Sequence, residues 1–422
     1  MLLGLIFYYI KTDNKKITIY NKILIVLIGY ILLPLIFSIP FYFSIYNISF
    51  IDSYFESISG FTSTGFTIFE NIKNIDQSLI IWRSAAQWLG GLYFLFSIIL
   101  LLDIYDNSFK KSLTNFISFN KSETLKQSFK IFILYTILTV GIFIILNLSN
   151  IRTFTSLNLA MTIISSGGFL PTNNLSNILI NNTQITIFSL LMLVSFFSIF
   201  LSYNLVFFKD RNRNFFNEDL NLFFYLLFIV VTFLFFFNSN NNFNILFLSL
   251  TSSISNIGVS LDNTPNNLSF VFLILLIIGG SFFSTSSGIR FLKIYSLFKY
   301  SINEILSYSK PKNVYINKIS FSKINFEQFE IYKYFLSILI FIISFIVLAS
   351  LLTMSGINVE SSFKLSILTI MNTVNSSMYG LSEFNFQNLQ SFTKFYLILF
   401  MIIGRVELLT LLIIAKKYLF KN

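Results

Sequence analysis

The chain has 422 residues, 55% hydrophobic and only 11% charged, with a mean hydropathy of +0.75, a composition suited to lipid rather than water. Cysteine and histidine are both absent, which excludes disulfides, thiol nucleophiles, imidazole proton shuttles and the usual transition-metal ligands, and with them most enzyme chemistry. The formal net charge of +11 is informative through its placement, because the basic residues fall in clusters between apolar runs.

In chain order, Met1 to Ile10 is apolar with no basic n-region and no small-residue cleavage site, which reads as a short extra helix rather than a cleaved signal peptide. A basic cluster, Lys11 to Lys16, precedes the run Ile23 to Tyr46; a short amphipathic stretch from Phe50 and a polar turn lead into Leu79 to Leu102. The same sequence of features then recurs. Lys110 to Lys130 precedes Phe129 to Leu146, a stretch from Thr153, a turn, and Ile185 to Phe208. Lys209 to Arg213 precedes Leu222 to Phe237, a stretch from Phe243, a turn, and Leu268 to Gly280. Arg290 to Lys333 precedes Phe335 to Leu352, a stretch from Glu360, a turn, and Phe395 to Ala415, before the basic end Lys416 to Lys421.

The long runs read as eight spans, on the criterion of roughly 20 helical residues for a hydrocarbon core of about 30 Å. Basic clusters in alternate connections follow the positive-inside pattern, so those connections are assigned to the cytoplasm and the charge is not read as a nucleic-acid surface. The intervening stretches, about a dozen residues each, are too short to span and suit re-entrant helices. Non-helical backbone at membrane depth is tolerated only where it is buried in protein or lines a water-filled cavity, so four such turns imply one shared central cavity. The predicted fold is therefore all-α and integral to the membrane, with four tandem helix–pore loop–helix repeats, residues 20–105, 126–208, 218–300 and 331–418, in one domain. The connection 290–333, with Lys310-Pro311-Lys312, reads as a solvated cytoplasmic loop or a docking surface for a soluble partner.

The four turns are Ser59 to Thr67, Ser165 to Leu170, Ser255 to Ser260 and Asn375 to Gly380. Glycine permits the dihedrals by which an extended strand can turn its carbonyls inward, and such carbonyls replace the hydration shell of potassium in a selectivity filter. Short helices ending at the turns add the negative ends of their dipoles, which favours a cation. Asp52, Glu56 and Glu360 near the other ends read as macrodipole stabilisation, with ion attraction second. Arg83 and Trp88, near an outer span end, read as headgroup anchors, and Arg405, about midway through the last span, is costly enough there to imply a function. Glu407 is assigned no role beyond a structural pairing.

The stretch Phe50 to Thr67, with Trp82-Arg83-Ser84, Gln87 to Gly91, Gly279 to Ser281, Ser284 to Arg290, Gly404-Arg405 and Leu409 to Leu411, resembles the Trk/Ktr/HKT superfamily of potassium transporters, specifically bacterial TrkH/KtrB-type membrane subunits. The resemblance implies filter glycines at Gly65, Gly168 and Gly258, with Ser63, Thr64 and Phe66, Ser166 and Gly167, and Asn256 and Ile257 along the ion path. In the fourth repeat it implies Ser376, Ser377 and Met378, with Met378 at the glycine position; a register using Gly380 stays open. Gly279, Gly280, Ser281, Ser284, Thr285, Ser286, Ser287 and Gly288 resemble an intramembrane gate loop, with Arg405 an electrostatic barrier beside it. It further implies potassium uptake across the inner membrane of the cell, sodium as a possible second ion, no covalent or redox cofactor, and a homodimer on a ring of cytoplasmic nucleotide-binding regulatory subunits, this chain having no nucleotide motif. A potassium-binding subunit of a P-type pump and a relaxed sodium–potassium pathway are the alternatives.

Overall fold

A computed structural model describes residues 18–101, 124–201, 219–237, 243–262, 264–308, 328–381, 384–406 and 410. Met1 to Ile10, Glu407 and most of the basic clusters lie outside the described residues.

The first unit consists of α1 (Ile19–Ser44), α2 (Phe50–Phe61) and α3 (Gln77–Leu100); the second of α4 (Thr124–Leu148), α5 (Thr153–Ile164) and α6 (Asn182–Phe196). The third has α7 (Asp219–Phe237), α8 (Phe243–Ile254), α9 (Ser269–Ile277) and α10 (Phe291–Ser307); the fourth has α11 (Gln328–Met354), α12 (Val359–Ile370) and α13 (Ser391–Val406). Among the described residues, Ile19–Ser44, Gln127–Leu148 and Glu330–Met354 are each long and apolar enough to cross a membrane. Helix α1 is apolar all round, as lipid-facing helices are, and leaves Ile25, Ile28, Leu32, Ile36 and Phe43 exposed while Ile23, Tyr30 and Phe41 are buried. Its Pro34 and Pro40 remove backbone donors, and neighbouring side chains bond its carbonyls: Trp82 Nε1 donates to Phe37 O (3.0 Å) and Tyr93 Oη to Val26 O (3.1 Å).

Helices α2, α5, α8 and α12 have 12 residues each, about 18 Å at 1.5 Å per residue, too short to cross. Each lies between the two helices that flank it in its own unit and also packs on the helix that follows the turn in the preceding unit: α5 on α3, α8 on α6, α12 on α9, and α2 on α13. The last of these contacts joins the fourth unit to the first and closes the ring, with the first unit across from the third and the second across from the fourth. Small residues allow the close approach, since a Cβ on Gly90 of α3 would sit 1.9 Å from Phe61 O and one on Gly404 of α13 would sit 2.2 Å from Ile370 O.

Two features depart from the sequence expectation. The chain is not wholly helical, because β1 (Ile278–Gly279) and β2 (Ile289–Arg290) pair in parallel, Ile278 with Ile289 and Gly279 with Arg290, across the neck of a loop that interrupts the inner helix of the third unit. The connection starting at Arg290 also begins inside the protein: Arg290, Phe291, Leu292 and Lys293 are buried, and α10 continues to Ser307.

Candidate functional site

Four turns at the ends of the short helices meet at the centre of the ring. Each follows one pattern, in which the second residue past the helix end takes a left-handed conformation: Ser63 (φ 60°), Ser166 (φ 58°), Asn256 (φ 59°) and Asn372 (φ 48°). The next amide returns to the helix, Thr64 N to Ser59 O (2.9 Å), Gly167 N to Thr162 O (2.8 Å), Ile257 N to Ser252 O (3.1 Å) and Thr373 N to Leu368 O (3.0 Å). The residue after that is Gly65, Gly168, Gly258 or Val374. In three units a helix hydroxyl then fixes the next carbonyl: Ser59 Oγ to Phe66 O (2.6 Å), Thr162 Oγ1 to Phe169 O (2.9 Å) and Ser252 Oγ to Val259 O (2.6 Å). The fourth unit has Leu368 at that place and no such bond.

This geometry corrects the fourth-unit register. The segment equivalent to the other three is Asn372-Thr373-Val374-Asn375, and Val374, not Met378, occupies the glycine position. Ser376, Ser377 and Met378 lie further along, Ser377 to Tyr379 in a short 3-10 turn that packs sideways on the third unit: Ser377 Oγ bonds Ser260 Oγ (2.7 Å) and Leu261 O (3.1 Å), and Met378 Sδ is 3.9 Å from Ser253 Oγ. Gly380 closes that turn at φ 70°, a left-handed conformation that favours glycine, so it serves the turn and not the central segment. With the helix starts known, the four positions keep one spacing. Phe50 and Gly65, Thr153 and Gly168, Phe243 and Gly258, and Val359 and Val374 are all 15 positions apart.

The segments are held differently. Gly65 (φ 83°) and Gly258 (φ 82°) are left-handed, whereas Gly168 is not among the positive-φ residues. Gln87 of α3, fully buried, stands behind the second segment; with its amide oxygen turned inward it accepts from Gly168 N (3.2 Å) and Phe169 N (3.1 Å). Asn372 Nδ2 donates to Met401 O (2.9 Å) and Thr64 Oγ1 (3.1 Å), and Asn256 Nδ2 to Leu276 O (2.9 Å), so these two side chains tie the turns to the inner helices.

On one side of the segments opens a mouth cavity of about 380 Å³, lined by residues of all four units including Gly65, Gly168, Val259 and Val374. Arg83 borders it, but not as a headgroup anchor. Its Nε donates to Glu56 Oε1 (2.8 Å), Nη2 to Thr67 Oγ1 (3.0 Å), and its guanidinium lies 4.1 Å from the centroid of the Phe169 ring. Glu56 also accepts from Ile68 N (2.9 Å). A carboxylate facing it on α2 outweighs the headgroup region as a partner for this arginine, since both charges are buried and need each other. Trp88 likewise points inward, Nε1 donating to Thr139 Oγ1 (2.9 Å), because it sits about three turns into α3 rather than at its end. Asp52 pairs with Lys394 Nζ (2.5 Å) and the exposed Glu360 with Lys364 (2.6 Å).

On the other side lies the loop Gly279–Gly288. It is stitched to the second unit by Ser281 N to Phe196 O (3.0 Å), Ser286 N to Ser195 O (3.2 Å) and Thr285 Oγ1 to Ile164 O (2.8 Å), the last at the very end of α5. Inside the loop Gly280 N donates to Ser286 Oγ (2.9 Å), and Arg290 Nη1 to Ser281 O (3.1 Å), Ser286 O (3.0 Å) and Ser284 Oγ (3.3 Å). Gly279 and Gly288 pass so closely that a Cβ on Gly279 would meet Ser287 O at 2.2 Å. From α13, Arg405 Nη1 donates to Ser287 Oγ (2.5 Å) and Nη2 reaches Ser63 Oγ (3.5 Å). Arg405 thus touches both the loop and the first central segment. Its guanidinium lies 4.2 Å from the Phe94 ring centroid, and that of Arg290 5.1 Å from the same ring. Sequence reasoning missed Phe94, and it took Gln87 and Arg290 only as residues of the quoted motifs without a place at this centre, because the partners of a buried Phe, Gln or helix-end Arg are not visible in sequence. Among the described residues no cluster of acidic side chains is arranged to hold a metal ion.

Fold and centre together define a helical protein built as a ring of four similar units, with three of the described helices long and apolar enough to cross a membrane. Residues 258–421 match the model of the TrkH family, described as cation transport proteins. The Trk system potassium uptake protein TrkH of Salmonella typhimurium is 25% identical over 93% of this chain and 84% of its own length. An uncharacterized cation transporter of Methanocaldococcus jannaschii is 25% identical over 73% of this chain, which spans 65% of that relative. The crystal structure of the potassium transporter TrkH from Vibrio parahaemolyticus superimposes with a TM-score of 0.84 at 20% identity, covering 98% of this chain and 88% of that one, and so shares the fold. These matches bear out the resemblance to the TrkH-type membrane subunits read from the motifs.

Proposed function

We propose that the chain carries potassium into the cell through a pore on the ring axis, formed by four helix–pore loop–helix repeats. The observation that carries this reading is the meeting of four turns that share one left-handed residue and one return hydrogen bond, each at the C-terminal end of a short helix, beneath a mouth cavity that all four units line. Four negative dipole ends aimed at one place favour a cation and repel anions. Backbone carbonyls of the extended segments Ser63 to Phe66, Ser166 to Phe169, Asn256 to Val259 and Asn372 to Asn375 replace the hydration shell. The membrane potential supplies about 2.3 kcal/mol per charge per 100 mV, so no covalent step is required.

The loop Gly279–Gly288 acts as the gate below the segments, and Arg405, hydrogen-bonded to Ser287, sets a positive barrier beside it. Control comes from a cytoplasmic nucleotide-binding ring beneath a homodimer, as the resemblance to Trk systems implies, with the connection 290–333 as its docking surface beyond α10. A relaxed potassium–sodium pathway is the second reading, favoured by the lack of a glycine at Val374. The test is growth of a potassium-uptake-deficient bacterium on limiting potassium with the chain and a matching regulatory subunit; failure of rescue contradicts the proposal, and equal uptake of sodium favours the second reading.

A further inference from the structure

We infer that Val374 is a hydrophobic plug on the pore axis, so that the side chain of one residue in the fourth segment governs whether ions pass the ring of glycines. The inference rests on the pore reading above and adds to it a constriction that only this segment supplies.

A Cβ placed on Gly168 would lie 2.3 Å from Val374 Cβ and 2.6 Å from its Cγ1, and one on Gly65 would lie 3.0 Å from the same Cβ. On the remaining side, a Cβ on Gly258 would meet the Val374 backbone, O at 2.7 Å and N at 3.0 Å. The order of packing around the ring puts the second unit diagonal to the fourth, with the first and third units flanking it. A side chain that abuts its diagonal counterpart as well as a flanking one crosses the middle of the ring. Val374 also lines the mouth cavity, together with Gly65 and Gly168.

Valine offers an ion no ligand, and a branched apolar group at a narrow point excludes water as well, the property by which hydrophobic constrictions close a pore. Its χ1 is stiff, so rotation alone is a poor escape. Conduction past Gly65, Gly168 and Gly258 then needs the fourth segment to draw back. The absence of a helix hydroxyl at Leu368, where the other units fix the next carbonyl through Ser59, Thr162 and Ser252, leaves this segment with one fewer restraint against doing so.

The experiment uses the full chain in proteoliposomes with an imposed potassium diffusion potential. Val374→Gly is expected to raise rubidium or potassium flux at least about tenfold over the natural chain, and Val374→Leu to lower it. The chain has no cysteine, so Val374→Cys carries a single thiol, which a membrane-impermeant cationic thiol reagent added from the mouth side should modify. Flux in Val374→Gly equal to or below that of the natural chain, or an unreactive thiol, overturns the plug. If the thiol reacts while the natural chain and every variant are silent to potassium, it is the transport reading that fails.

Discussion

Arg83 Nε lies 2.8 Å from Glu56 Oε1 with the two side chains 1% and 0% exposed, an ion pair that staples α3 to α2 directly behind the first central segment. Removing one member leaves the other charge buried and unpaired, which costs about 3–5 kcal/mol, while the double replacement is expected to cost less than the sum of the singles. Thermal unfolding of Arg83→Gln, Glu56→Gln and the double variant in detergent checks this. Arg83→Lys is expected to restore little, because lysine lacks the fork that serves Glu56 and Thr67 together.

Close approach of helices gives a second expectation. Gly90→Ala and Gly404→Ala thrust a Cβ into the carbonyls of Phe61 and Ile370, at the ends of α2 and α12, so each should destabilise by about 1–3 kcal/mol or more. Gly141, in the interior of α4, has no atom within 4 Å of an added Cβ, and Gly141→Ala should be neutral or gain up to about 1 kcal/mol of helix propensity. Melting temperatures of the three variants under one detergent condition separate crowding from a general intolerance of alanine.

Gln87 gives a third. Gln87→Leu keeps the volume but orphans the amides of Gly168 and Phe169, at about 1–3 kcal/mol, and should reduce flux with the protein still folded. Gln87→Glu retains an acceptor oxygen and should recover more flux than Gln87→Leu. Size-exclusion profiles and tracer uptake on the same preparations test this, and equal uptake by the two variants would remove Gln87 as a positioning residue.

Arg405 gives a fourth. Arg405→Ala removes a buried cation from beneath the segments and breaks its bond to the loop at Ser287, so flux should rise or activation loosen. Ser287→Ala breaks the same bond but keeps the charge, and its effect should be smaller in the same direction. Flux and activation unchanged in Arg405→Ala would contradict the barrier assignment.

Much of the architecture was legible because it is written in period and charge: apolar runs between basic clusters predict the long helices, and the Gly-Ser-Thr run after Leu268 predicts the interruption beyond Ile277. Gly65, Gly168 and Gly258 were legible as a set because glycine marks unusual backbone. Val374 was not, since a valine among Asn, Thr and Ser looks like any turn, while the glycine of Met378-Tyr379-Gly380 drew the register four residues too far. Arg83 was misread for a related reason. Its distance from the end of a span is visible in sequence, whereas the carboxylate 27 residues earlier becomes its partner only when α2 folds back against α3.

The most direct measurement is potassium flux by the purified chain in liposomes under an imposed membrane potential, without ATP or any other protein except a matching regulatory subunit. The account predicts electrogenic uptake of potassium that follows the potential and reverses with it. No flux under any potential, in the natural chain and in Val374→Gly alike, would contradict it.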